Sequence, residues 1–479
     1  MSLRSSIVWV ALAVSLGLLG GTRAASAQET SIREDTVRFG RFGDIALYRQ
    51  RDRPSHVVLF VSGDGGWNLG VVGMAREVAG MDAAVAGIDI RRYKAALERA
   101  PEACGYPAAD FEALGQWLER RLGYPMYVAP ILAGYSSGAT LVYATLVQAP
   151  PNTFRGAMSL GFCPELALHR PLCQEHALRW VRQRGTGRGP TADRVAFLPV
   201  DSTPAPWVVF QGEADSTCFA DSAAAFVRHI RGAELVRLPK VGHGFGVRSR
   251  WIPQFRDALA HLTAAPTAVP AVTAAPVRDL PLIELRPKTG GHRLAVIVSG
   301  DGGWASLDRQ IGETFAARGI PVVGLDALRY FWKARSPEQM GADFTRIVRH
   351  YLDAWHASDL LLVGYSRGAE TLPFMINRLP GDLRARIRVV ALIAPARVTA
   401  FEFHLRDWLG GTAGKVPTPD EIARLSGLDV LCLYGADERD SACPLLPRGV
   451  ATLEELRGGH HFGGAYRELA DRILRVAGD

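Results

Sequence analysis

A serine set between two glycines occurs twice in this chain, in Gly134-Tyr135-Ser136-Ser137-Gly138 and in Gly364-Tyr365-Ser366-Arg367-Gly368. Each pentapeptide follows a short apolar run, Ile131-Leu132-Ala133 or Leu360-Leu361-Leu362-Val363. Each precedes a segment that reads as a helix start, Ala139-Thr140-Leu141-Val142 or Ala369-Glu370-Thr371-Leu372. Strand, Gly-x-Ser-x-Gly, helix is the order of a nucleophile elbow. The glycines let the backbone turn sharply and admit a second backbone, so the serine hydroxyl stands exposed at the strand end. One such pentapeptide is a weak signal; two in matching contexts form a pattern.

A serine hydroxyl is a poor nucleophile until a histidine takes its proton and an acid orients that histidine. Behind an elbow the chain order is serine, acid, histidine. In the first half, Trp207-Val208-Val209-Phe210 reads as a strand leading to Asp215, and His243 follows in a glycine-flanked loop, so Ser136, Asp215 and His243 form one ordered set. In the second half Ser366 is followed by Tyr434-Gly435-Ala436-Asp437-Glu438-Arg439-Asp440-Ser441-Ala442-Cys443 and by Gly458-Gly459-His460-His461-Phe462. Matching Asp-Ser-x-Cys in both halves pairs Asp440 with Asp215, at the cost of two extra residues after Gly435. Counting from the glycine favours Asp437 or Glu438 instead; Asp440 is preferred. Matching Gly-His-x-Phe pairs His460 with His243, leaving His461 to line a pocket or bond to backbone. A loop aspartate alone usually caps a turn, and a lone histidine is usually a surface or core residue. The ordered set, found twice, is what argues for catalysis; the alternative is that one copy has become a scaffold.

Ser62-Gly63-Asp64-Gly65-Gly66-Trp67 and Ser299-Gly300-Asp301-Gly302-Gly303-Trp304 are identical hexapeptides 237 positions apart, following the apolar runs Val57–Val61 and Leu294–Val298. At the same offset Asp89 and Arg92-Tyr93 match Asp326 and Arg329-Tyr330, and the elbow serines are offset by 230. The chain is an internal duplication rather than a short-period solenoid. A loop after an early strand supplies part of an oxyanion hole. One backbone donor is assigned to Gly65 or Gly66 and to Gly302 or Gly303, and the other to the residue after the nucleophile, Ser137 or Arg367. The carboxylates of Asp64 and Asp301 would oppose an oxyanion, so each either points away and ties down its loop or pairs with a cationic group on a substrate. Trp67 and Trp304 read as packing residues.

The elements that must position these groups alternate between strand and helix. Lead-in strands are expected over Val37–Arg49. Helical spacing covers Phe111–Leu122 and Met340–Trp355, and further strands are expected at Gly156–Leu160, Val389–Ile393 and Val430–Tyr434. Alternation of this kind predicts mostly parallel sheets covered on both faces. With the elbows, the fold class is α/β: two tandem α/β-hydrolase-like domains.

The 479 residues suit two domains of roughly 200 residues each. With 48% hydrophobic and 22% charged residues the chain is globular. Arg4, the apolar run Ile7–Leu19 and Ala25-Ser26-Ala27 read as a signal peptide over residues 1–27, cleaved near Ala27, and no cysteine follows to make a lipoprotein. No later stretch is apolar enough to span a membrane. The formal charge of +7 falls to about +5 without Arg4 and Arg23. The excess is spread arginine with no lysine block, which fits a mild attraction to anionic lipid and gives no nucleic-acid signature. Thr263–Val277, almost all Ala, Pro, Thr and Val, reads as a linker between domains at 28–262 and 278–479. Four cysteines in the first half and two in the second predict disulfides within each domain, with Cys163–Cys173 and Cys432–Cys443 as short-range candidates. No cysteine or histidine spacing points to a metal, and the chemistry calls for no cofactor.

The second half resembles the bacterial virulence protein family of AcvB and VirJ, exported α/β-hydrolases. The resemblance is carried by Ser299–Trp304, Leu328-Arg329-Tyr330-Phe331-Trp332, Arg335-Ser336-Pro337-Glu338, Gly364–Gly368, Asp440-Ser441-Ala442-Cys443-Pro444 and Gly459-His460-His461-Phe462. The two-copy layout with an export signal looks like the longer, AcvB-type member. The resemblance implies a periplasmic hydrolase that cleaves the ester joining lysine or alanine to the headgroup of aminoacylated phosphatidylglycerol at the membrane surface, with Ser366 as nucleophile. The first half keeps the motif skeleton but lacks the Phe-Trp and Arg-Ser-Pro-Glu hallmarks. Such a substrate offers a carbonyl to Ser366, an ammonium that Asp301 would take, and a phosphate suited to Arg367, Arg329 or Lys333. The rival expectations are a general periplasmic carboxylesterase or lipase, and a non-catalytic adaptor for envelope secretion components. Intact sets of three chemical groups argue against the adaptor.

Overall fold

The computed structural model describes residues 31–100, 104–174, 177–184, 193–264, 274–287, 291–401, 416–462 and 466–478. The expected signal peptide and linker residues 265–273 lie outside the described residues. Among the described residues, no helix is long and apolar enough to cross a membrane.

The first domain is built on eight strands: β1 (Arg33–Phe39), β2 (Gly43–Arg49), β3 (His56–Val61), β4 (Ala83–Ile88), β5 (Ile131–Tyr135), β6 (Gly156–Leu160), β7 (Ser202–Gly212) and β8 (Arg231–Leu238). Their spatial order is β1-β2-β4-β3-β5-β6-β7-β8; β1/β2 and β2/β4 pair antiparallel and the rest parallel. The second domain repeats the scheme with β9 (Leu282–Leu285), β10 (Arg293–Val298), β11 (Val322–Leu325), β12 (Asp359–Tyr365), β13 (Ile387–Ile393), β14 (Val430–Gly435) and β15 (Thr452–Leu456), in the order β9-β11-β10-β12-β13-β14-β15. Within this sheet, among the described residues, β9/β11 pairs antiparallel and the other pairs are parallel. A small three-stranded sheet, Glu165–Ala167, Trp180–Arg184 and Asp193–Phe197, is inserted after β6 in the first domain.

Alternating residues of the central strands feed cores on both sheet faces, as parallel sheets require. Val57, Leu59 and Val61 join one core and Val58 and Phe60 the other; Leu294, Val296 and Val298 face away from Ala295 and Ile297 in the same manner. Each such fully buried valine, leucine or phenylalanine contributes about 1.5–3 kcal/mol. The tryptophans that end the two hexapeptides pack on a strand glycine. A Cβ on Gly87 would lie 2.0 Å from the Trp67 ring, and one on Gly324 2.3 Å from the Trp304 ring.

Several residues that carry the resemblance turn out to be structural. Ser336 caps the helix Pro337–Ala354 in a reciprocal box with Gln339, and Pro337 occupies its first turn. Trp332 seats the first domain. Its indole N–H donates to the carbonyl of Tyr124 at 2.9 Å, the Arg120 guanidinium lies 4.1 Å from its ring centre, and Tyr127 packs 5.5 Å from it. Tyr127, Leu328 and Trp332 form a small buried cluster between the domains.

The disulfides stay within each half, but one pairing differs from the sequence expectation. Cys432–Cys443 is present, whereas Cys163 bonds Cys218 and Cys173 bonds Cys104. Cys163 and Cys218 follow the C-terminal ends of adjacent parallel strands, β6 and β7, so sheet topology brings together residues 55 apart.

Candidate active site

Both serines occupy the sharp turn that the sequence predicts. Ser366 has φ 51° and ψ −120°, and Ser136 has φ 56° and ψ −123°; this is left-handed backbone that costs a side-chain-bearing residue energy and persists only where its surroundings enforce it. The flanking glycines enforce it. A Cβ on Gly364 would lie 2.5 Å from the carbonyl oxygen of Gly368, and one on Gly368 2.0 Å from that of Val298. The equivalents at Gly134 and Gly138 would meet backbone at 2.3 and 2.4 Å.

In the first domain His243 Nε2 lies 3.0 Å from Ser136 Oγ, and His243 Nδ1 lies 2.8 Å from Asp215 Oδ2. Asp215 is buried and accepts the amides of Thr217 and Cys218, each at 2.8 Å, and the Gln211 side-chain amide at 3.2 Å. The Cys163–Cys218 bridge therefore adjoins the loop that holds the acid.

In the second domain His460 Nε2 lies 2.9 Å from Ser366 Oγ, and His460 Nδ1 lies 2.5 Å from Glu438 Oε1. Asp440, the expected acid, is not there. Its side chain is 75% exposed and faces Arg397 at 3.7 Å. Glu438 and Asp215 each stand three residues after the glycine that ends the preceding strand, and those glycines are fixed by close backbone contact: a Cβ would lie 2.2 Å from Val241 O at Gly212 and 2.5 Å from Gly458 O at Gly435. Counting from the glycine was the right rule, and the Asp-Ser-x-Cys match was misleading. Burial alone would raise the Glu438 carboxyl, but bonds from His460 and the Gly435 amide hold it below its ordinary range. His461 Nδ1 is bonded to the Tyr365 hydroxyl at 2.9 Å.

The hexapeptide loops lie against the elbows, with a division of labour the sequence did not reveal. The residue beside the nucleophile is the first glycine. A Cβ on Gly300 would be 3.3 Å from Ser366 Cβ, and one on Gly63 3.0 Å from Ser136 Cβ. Gly303 and Gly66 have φ of 74° and 78°, and their N–H groups already donate to the carbonyls of Gly300 and Gly63 at 3.0 and 2.9 Å. That turn occupies the amides of Gly66 and Gly303, two of the expected oxyanion donors. Ser137 and Arg367 open the helices Ser137–Gln148 and Arg367–Ile376, whose leading amides have no carbonyl partner within the helix.

The loop carboxylates are engaged by cations of their own domains. Asp64 lies 3.4 Å from Lys94 Nζ. Arg367 Nε donates to Asp301 and its NH1 donates to the Ala400 carbonyl at 2.8 Å, so this guanidinium, expected on a substrate phosphate, braces the loop from a partly buried position. Asp301 keeps 52% of its side chain exposed. Two further carboxyls feel its charge. Glu370 and Glu112 are each pushed up to about 7, first by burial and then by Asp301. Arg329 sits 3.6 Å from Asp326, and Lys333 is exposed. Among the described residues, neither is joined by a hydrogen bond or ion pair to the serine, histidine and glutamate.

The sheet order, the positive-φ serines and the serine–histidine–carboxylate chains define a protein of the α/β-hydrolase fold, present in two tandem copies. Residues 55–243 and 292–478 each match the bacterial virulence protein (VirJ) family, and the chain belongs to that family. No curated protein matches it. Solved structures similar to it include the esterase domain of a Rhodothermus marinus protein (16% identity, 48% of this chain, 97% of that one, TM-score 0.30). An α/β serine hydrolase without lid from Xanthomonas campestris (17%, 49%, 94%, 0.30) and a serine hydrolase homologue from Coxiella burnetii (16%, 49%, 97%, 0.30) are others.

Proposed function

We propose that the chain is a serine hydrolase of carboxylic esters, with aminoacylated phosphatidylglycerol as its substrate. The observation that carries the reading is the bonded series Ser366 Oγ, His460 Nε2, His460 Nδ1, Glu438 on an enforced elbow. Ser366 Oγ attacks the ester carbonyl while His460 Nε2 takes its proton, and Glu438 orients the imidazole and stabilises its charged form. The amides of Arg367 and Gly302 receive the oxyanion. The tetrahedral intermediate expels the headgroup alcohol, protonated by His460, and leaves an aminoacyl-serine. Water, deprotonated by His460, then releases the amino acid and restores the hydroxyl.

For the substrate, the support is the carboxyl-rich surround of the loop. Asp301 is half exposed with Glu112 and Glu370 nearby, which suits an ammonium beside the carbonyl. Arg329 and Lys333 are kept as phosphate partners on the exposed side. Three disulfides fit export to an oxidising compartment such as the periplasm. The first-domain series Ser136, His243, Asp215 is equally complete and is read as a second ester-cleaving site.

The test uses lysyl-phosphatidylglycerol in mixed micelles with wild type, Ser366→Ala, Ser136→Ala and the double variant, following released lysine. Loss with Ser366→Ala supports the reading, and full activity in the double variant overturns it.

A further inference from the structure

The Ser299–Trp304 loop beside Ser366 is held partly from outside its own domain. Asn152, in the first domain, donates its side-chain N–H to the carbonyl of Trp304 at 3.1 Å. Glu112, on the first-domain helix Pro107–Arg121, places Oε1 beside Gly302, where a Cβ would lie 3.6 Å from it. Gln116 donates to that same Oε1 at 3.2 Å. The first domain's own loop carries an asparagine strap within itself. There Asn68 bonds back to the Gly65 carbonyl at 3.1 Å and accepts the Gly70 amide at 3.4 Å, capping the next helix. At the duplication offset Asn68 becomes Ala305, which has no side-chain bond to give, and the helix after it lacks a side-chain cap. The second copy lacks that asparagine strap; Arg367 on Asp301, together with Asp308 and Asp326 on the loop backbone, holds it from within, and Asn152 adds a bond from the neighbouring domain.

We infer that the first domain positions the oxyanion loop of the second, with Asn152 and Glu112 as positioning residues that hold Gly302 in register with Ser366. This rests on reading Ser366 as the nucleophile. Gly300 packs on Ser366 Cβ, so a shift of the loop moves its amides directly against the reacting carbonyl. Misplacement by about 1 Å costs up to about a hundredfold in rate.

Asn152 itself has φ 73°, a conformation that Asn, Asp and Gly tolerate. Asn152→Asp therefore keeps shape and backbone but cannot donate, and Asn152→Gly keeps the backbone while removing the amide. The measurement uses the full chain. In a Ser136→Ala background, kcat and KM are read on p-nitrophenyl butyrate, together with the rate at which a fluorophosphonate labels Ser366, located by peptide mass spectrometry. In a Ser366→Ala background, labelling of Ser136 is read in the same way. The expected result for Asn152→Asp and Asn152→Gly is a fall of about tenfold or more in kcat and in Ser366 labelling, with KM, Tm and Ser136 labelling unchanged. Glu112→Ala behaves likewise, and Glu112→Gln, which keeps the packing, restores most of the rate. Unchanged Ser366 labelling, or equal loss at both serines, overturns the inference. Absent ester hydrolysis with intact Ser366 labelling in the wild type would count against the ester reading alone, because the labelling comparison still decides the positioning; absent Ser366 labelling in the wild type overturns both.

Discussion

Glu438 Oε1 and His460 Nδ1 stand 2.5 Å apart, on two loops that are both anchored at Gly435. The Gly435 amide donates to the other oxygen of Glu438 at 2.8 Å, and Gly435 itself packs against the Gly458 and Gly459 carbonyls just ahead of His460. One residue thus sets both the acid and the base. Glu438→Gln is expected to lower kcat on a Ser366-dependent ester by about a thousandfold or more, through a wrongly oriented imidazole. Asp440→Ala, which removes an exposed carboxylate, should leave kcat within about twofold. Steady-state kinetics in a Ser136→Ala background distinguish the two.

The carboxyls around the site make opposite contributions to stability as pH changes. Glu438 is held below its ordinary range, so its contribution is present above the unfolded carboxylate value of about 4.3 and is lost as pH falls through the lowered one. The Tm advantage of wild type over Glu438→Gln should shrink on acidification. Glu112, facing Asp301 and Gln116, is raised to about 7. It carries no penalty below about 4.3, a growing one up to about 7 and a constant one above. The Tm of Glu112→Gln relative to wild type should rise over that interval and then level off.

Gly368→Ala would place a methyl 2.0 Å from the Val298 carbonyl, where neither backbone has room to retreat. A cost of about 3 kcal/mol or more is expected. It should appear in differential scanning calorimetry as a lower transition for the second domain, with labelling of Ser136 unchanged.

Reduction should act unequally on the two domains. The first carries bridges between residues 69 and 55 apart, each restraining the unfolded chain by about 4 kcal/mol; the second carries one, 11 apart, worth about 3 kcal/mol. Dithiothreitol is expected to lower the first-domain Tm more, and to reduce fluorophosphonate labelling of Ser136 before that of Ser366, because Cys218 donates its amide to Asp215.

Much of this was legible in the sequence because the chain says everything twice. The elbows, the mostly parallel sheets and the pairing of His243 with His460 follow from local patterns that backbone geometry enforces. The acid was misread because Asp-Ser-x-Cys looks like a unit, yet its cysteines serve different bridges, Cys218 to Cys163 and Cys443 to Cys432. The reliable landmark was the strand-end glycine, whose missing side chain admits the histidine loop. The turn that occupies the Gly66 and Gly303 amides, the brace between Arg367 and Asp301, and the reach of Asn152 and Glu112 across the domains left no sequence signal. Each depends on tertiary approach between segments far apart in the chain.

The seat made by Trp332 bears on why the copies differ. It joins one face of the second copy to a different face of the first, a head-to-tail contact between two versions of one fold. Contacts of that kind propagate into rings or open filaments when every unit carries both faces. At the duplication offset Lys94 and Ala95 replace Phe331 and Trp332 in the first copy, so it offers no indole to a further neighbour. Divergence of the hallmark residues therefore makes the seat one-way: the second copy carries the plug and the first carries only the socket.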